Sequence, residues 1–170
     1  GHSMGAMIAL DMAIRFPGSV RGVVALNAVY SRSPAASEAV QSRADSLDGV
    51  SQSDPTGTLE RWFGDKLSPE RGACRTWLGD VDPAAYRLAY RVFARENGPK
   101  RNALAHLSCP ALFATGSEEP NSTPAMSNEM AALAPQGQSA IVNGAAHMMP
   151  MTHAKEVNAL LLSFAQEVLP

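Results

Sequence analysis

The 170 residues carry 14 Lys and Arg against 16 Asp and Glu, a formal charge of −2, with 45% hydrophobic and 18% charged side chains. That balance excludes a disordered chain, and without a basic run it argues against nucleic acid or a membrane surface as partner. The two cysteines, Cys74 and Cys109, lack metal-ligand spacing and read as thiols of a reducing compartment, so cytoplasm is the expected location.

In chain order, Met4 to Phe16 reads as a helix with a broad apolar surface (Met7, Ile8, Leu10, Met12, Ile14), stopped by Pro17-Gly18. Val23–Leu26 is a short apolar run that fits a strand covered on both faces. From Tyr30 to Asn102 apolar runs give way to Ser, Pro, Gly and Asp, and short amphipathic helices are expected at Ser37–Leu47, Thr58–Phe63 and Pro69–Leu78. The clearest helix of this stretch is Pro83–Glu96, with Asp82 as N-cap and Pro83 at the first helical position. Strand and helix then alternate: strand Ala111–Thr115, helix Thr123–Leu133, strand Gln138–Val142, and a final helix Lys155–Val168. That order implies a parallel sheet flanked by helices, an α/β fold. The expected division is a core of 1–29 and 103–170 with a helical insertion over 30–102.

Gly1-His2-Ser3-Met4-Gly5 matches G-x-S-x-G directly before the first helix. The spacing suits a serine on a sharp strand-to-helix turn, its hydroxyl pushed into open space. Glycines on both sides would remove β-carbons that clash in such a turn, and the Met4 N–H at the helix start can face an oxyanion.

A serine hydroxyl needs a base that titrates near neutrality. His147 lies in a loop past the last strand, where a side chain can reach other strand ends. His2 flanks the serine and could line a pocket, while His106 and His153 read as surface or packing residues. No two histidines have metal-site spacing, so no metal and no cofactor is expected. A carboxylate should orient the imidazole. Glu118 and Glu119, in the loop after Ala111–Thr115, are both candidates, and residue pattern alone does not separate them.

Together these segments resemble the α/β-hydrolase superfamily, most closely its serine esterase and C–C-bond hydrolase branch with a helical cap. Gly1–Gly5 resembles the family's nucleophile elbow, Cys109–Gly116 its penultimate core strand, and Gly144–Pro150 its histidine loop. The resemblance implies Ser3 as nucleophile, His147 as base and Glu119 as acid, because the family's acid falls three residues after the strand-end glycine. It departs from the family in using Glu where Asp is commoner. Some members carry the acid after the earlier strand, near Asn27, which is uncharged here. Family members also have strands and helices ahead of the elbow, so an N-terminal segment of the same fold is expected to complete the sheet and the oxyanion hole.

The implied function is hydrolysis of an ester or related carbonyl compound through an acyl-enzyme. Acyl transfer, cofactor-free perhydrolysis and C–C cleavage use the same groups and stay open. A non-catalytic piece that needs its upstream segment is the reading from another class. In the insertion, Tyr86, Tyr90 and Phe93 fall on one helical face. That stripe reads as cap packing first and as the lining for a small or medium apolar acyl group second. The partner is thus a small molecule, and the oligomeric state is left open.

Overall fold

The computed structural model describes residues 1–169 and divides into two compact units: Gly1–Tyr30 with the stretch from Gly98 onward, and Ser31–Asn97.

Unit 1 holds a parallel sheet of three strands, β1 (Val23–Leu26), β2 (Ala111–Gly116) and β3 (Gly137–Val142), in that spatial order. Val23 pairs with Ala111, and Ala111 with Gly137. All six residues of β2 are buried, which a central parallel strand requires and its apolar run Ala111–Ala114 permits. The pleat sends alternate side chains to opposite layers. Val23, Ala25, Ala111 and Phe113 join a core with Ala6, Leu10 and Ala13 of helix α1 (Met4–Arg15) and Met130 of helix α7 (Pro124–Leu133). Leu26 and Ala114 join a second core with Val142, Met149 and Val157, the last from helix α9 (Ala154–Val168). Helices thus cover both sheet faces.

Unit 2 is helical: α2 (Pro34–Ser46), α3 (Thr56–Phe63), α4 (Pro69–Asp80) and α5 (Pro83–Arg95). Helices α2, α4 and α5 each begin with Pro at a first-turn position behind a capping side chain, Ser33, Ser68 and Asp82, which accept from Ala36, Arg71 and Ala85 N–H. These caps satisfy donors that a short helix otherwise leaves open. Two short helices of unit 1, α6 (Arg101–Ala105) and α8 (Met149–Thr152), have no counterpart in the sequence reading. Five and four residues are too few to show a helical period. Among the described residues, no helix is long and apolar enough to cross a membrane.

Candidate active site

Gly1–Ser3 run beside β1 as a further parallel segment. Leu26 N–H donates to the Gly1 carbonyl (2.9 Å), Ser3 N–H donates to the Leu26 carbonyl (2.8 Å), and His2 bridges Leu26. The chain then turns at Ser3, whose φ of 55° and ψ of −121° lie outside the regions L-residues favour, and enters α1. A Cβ at Gly1 would lie 2.1 Å from the Gly5 carbonyl oxygen, so only glycine lets the helix start fold back this closely. At Gly5 an added Cβ would meet nothing within 4 Å. The expectation of a steric need for glycine on both sides is therefore corrected: it holds at Gly1 and not at Gly5. Met4 opens α1, so its N–H is among the helix-start donors with no acceptor inside the helix.

The loops after β2 and β3 are joined to each other. Ser117 N–H donates to the Val142 carbonyl (3.0 Å), and Glu118 N–H donates to the Ala145 carbonyl (2.9 Å). Gly144 N–H donates to Ser117 Oγ (2.8 Å). Gly116 permits the approach: a Cβ there would stand 2.0 Å from the Ala145 carbonyl oxygen.

This lacing brings together residues 144 positions apart in the chain. His147 Nε2 lies 3.1 Å from Ser3 Oγ, and His147 Nδ1 lies 2.6 Å from Glu119 Oε2. The residue pair that the sequence left open separates cleanly. Glu119 is buried and Glu118 exposed. Glu119 Oε1 accepts from the N–H groups of Asn121 (2.8 Å) and Ser122 (3.3 Å), and Oε2 accepts from Asn27 Nδ2 (3.2 Å) as well as from the imidazole. Burial alone would raise the Glu119 pKa, but hydrogen bonds from His147, Asn121 and Ser122, with the imidazole's charge, outweigh it and hold the carboxyl below its ordinary value. A hydroxyl, an imidazole and a buried carboxylate in this order can move a proton off the hydroxyl and stabilise the imidazolium that results.

His2 belongs to the same cluster. Its Nε2–H donates to the His147 carbonyl (2.8 Å), and the two rings lie 5.0 Å apart. Burial, and then the neighbouring His147 charge, lower the His2 pKa to about 4, so the ring is a neutral donor that ties the histidine loop to the elbow. Tyr86 and Tyr90 lie in unit 2. Their rings are 5.8 Å apart, Tyr90 stacks edge-on with Phe93, and the Arg43 and Arg32 guanidiniums sit over Tyr90 (5.4 Å) and Phe93 (4.5 Å). Tyr86 also lines a cleft within unit 2 with Arg43, Asp54, Thr58 and Leu78. His106 is exposed and His153 half-buried, each bonded to a near neighbour. Among the described residues, no group of three His, Cys, Asp or Glu side chains could hold a metal ion.

Sequence reasoning missed Asn27 as a contact of the acid and the arginines of unit 2. An amide after a strand carries no motif, and arginines scattered over 60 residues show no cluster until they fold.

The sequence pattern of the alpha/beta hydrolase family matches residues 1–160. The chain is 35% identical over 170 residues to (E)-2-((N-methylformamido)methylene)succinate hydrolase of Acinetobacter baylyi, covering 98% of this chain and 64% of that protein. Among solved structures, a thermophilic esterase from Thermogutta terrifontis superposes with a TM-score of 0.83 at 23% identity, over all of this chain and 64% of that one. E-2-(acetamidomethylene)succinate hydrolase superposes at 0.75 with 21% identity, over 98% of this chain and 65% of that one. The chain thus spans a little under two thirds of the length of the relatives it matches. It belongs to the alpha/beta hydrolase family.

Proposed function

We propose that the protein is a serine hydrolase that works through an acyl-enzyme. The observation that carries this reading is the continuous chain from Ser3 Oγ through His147 to the buried Glu119 carboxylate. Ser3 Oγ attacks a carbonyl carbon while His147 Nε2 takes its proton. Glu119 holds Nδ1–H and stabilises the imidazolium. The Met4 N–H supports the oxyanion. His147 then protonates the leaving group, and water, activated by the same nitrogen, releases the acid and restores the serine. Unit 2, in this reading, is the cap that selects the substrate.

A relative narrows the substrate further. The relative from Acinetobacter baylyi is named for a substituted succinate. We infer a carboxylate-bearing amide or ester in place of the apolar acyl group expected from the aromatic stripe.

The test is pre-steady-state hydrolysis of a p-nitrophenyl ester by the complete gene product. A burst of about one nitrophenolate per active site, absent in Ser3→Ala, supports the acyl-enzyme. A steady rate unchanged in Ser3→Ala contradicts it. Added alcohol or peroxide that diverts the acyl group at fixed total turnover would move the assignment to acyl transfer or perhydrolysis. A dicarboxylate half-amide should be hydrolysed with a KM about tenfold below that of its neutral ester. Equal KM values for the two would remove the carboxylate reading.

A further inference from the structure

Asn27 sits one residue past β1 and is 1% exposed. Three features of it cost free energy. Its φ of 53° lies in the left-handed region. Its polar amide is buried. Its Oδ1 has no hydrogen-bond partner. Its N–H is fixed by donation to the Ala114 carbonyl (2.8 Å), which ties the residue to β2.

The direction of the amide is settled by its neighbours. Nδ2 donates to Thr115 Oγ1 (3.2 Å) and to Glu119 Oε2 (3.2 Å). Thr115 spends its own proton on the Ser122 carbonyl (2.6 Å), so its oxygen can only accept here. A carboxylate also only accepts. Flipping the amide would set its oxygen against two acceptors, which explains why Oδ1 stays without a partner. The donor end faces the same oxygen, Oε2, that holds the His147 ring at 2.6 Å. Oε1 is fixed separately by the Asn121 and Ser122 N–H groups. A longer acid than Asp has one more torsion to fix, and the Asn27 amide fixes it from the side that the loop's own N–H groups do not reach.

We propose that Asn27 is the positioning residue for the acid: it locks Glu119 Oε2 against His147 Nδ1. The proposal rests on the catalytic reading above. The titratable groups in this cluster are Glu119, His147 and His2.

Two variants of the complete gene product test it, with Ser3→Ala as reference and active sites counted by titration. Asn27→Gly keeps the left-handed backbone and deletes the donor. It should lower kcat per titrated site about 10- to 100-fold, the size expected for one hydrogen bond to a charged group, with KM changed less than about threefold. Asn27→Asp keeps the shape but replaces the donor with a second carboxylate beside the imidazole. It should lower kcat per titrated site at least as far as Asn27→Gly, because two buried carboxylates this close cannot both stay ionised. A residue that only supports folding would change the yield of titratable sites and leave both readouts at wild-type values, and that result overturns the proposal. If Ser3→Ala itself stays active, the hydrolase reading fails instead, so the two failures are distinct.

Discussion

In unit 1 one strand, β2, buries all six of its residues, and apolar side chains fill the layers on both sides of it. In unit 2, helices α2, α4 and α5 each bury a single residue, Ala44, Cys74 and Ala94. What unit 2 lacks in apolar burial it replaces with arginine: Arg32 donates to the Glu96 carbonyl, Arg71 to the Leu59 and Gly64 carbonyls, and Arg43 to Thr58 Oγ1. A packed two-faced sheet is stiff, and the loops at its strand ends inherit that stiffness. Ser3, Asn27 and the residues around Glu119 and His147 all lie there. Helices pinned by long cationic side chains have more rotamers to lose and fewer apolar contacts to hold them. The rigid unit carries the proposed chemistry, and the arginine-pinned unit is the one proposed as the cap.

The comparison can be broken at its chemical end first. Glu119→Gln should lower kcat/KM by about 10³- to 10⁴-fold with the fold intact, because a neutral amide cannot stabilise the imidazolium; stopped-flow hydrolysis with a thermal melt of the same sample checks both halves. Next comes the core. Phe113, 0% exposed, is central to β2, and Phe113→Ala should cost about 3–5 kcal/mol in urea unfolding.

A third variant probes the tie between histidine loop and elbow through pH. The His2 pKa is depressed from 6.5 to about 4, so the unfolded chain takes up its proton first as pH falls. The stability contributed by the neutral ring is present above pH 6.5 and drains away toward pH 4. Between pH 7 and 5 this group should account for about 2 kcal/mol of lost stability, and His2→Gln should flatten that part of the profile. Glu119 adds its own loss at lower pH, since its carboxyl is also held below the ordinary value.

Arg32→Met tests unit 2. It keeps the apolar stem but leaves the Glu96 carbonyl without its donor, and should cost about 1–2 kcal/mol, less than the core change in unit 1. The smallest expected effect sharpens the reading of the elbow. Gly5→Ala meets no atom and gains helix propensity, so it should stabilise by up to about 1 kcal/mol, whereas Gly1→Ala should disrupt the turn.

The same contrast explains what could be read before the fold was known. Strands β1 and β2 announced themselves because burial on both faces leaves an apolar run, as in Ala111–Ala114. The serine and histidine were readable because glycines mark the turns that hold them. Glu119 was separable from Glu118 only through a family resemblance, since the distinction lies in burial and in loop-to-loop bonds made across 28 residues. Asn27 reaches Glu119 across 92 residues, and no local pattern encodes a contact of that kind. The arginines of unit 2 form no run in the sequence, so their clustering was not legible there.

The central claim is that Ser3 is an activated nucleophile, and a fluorophosphonate probe tests it most directly. Treated with the probe and mapped by mass spectrometry, the complete gene product should carry one adduct, on Ser3, lost in Ser3→Ala and slowed at least about a hundredfold in His147→Ala. A folded protein that takes no label at Ser3, or labels equally fast without His147, would contradict the account.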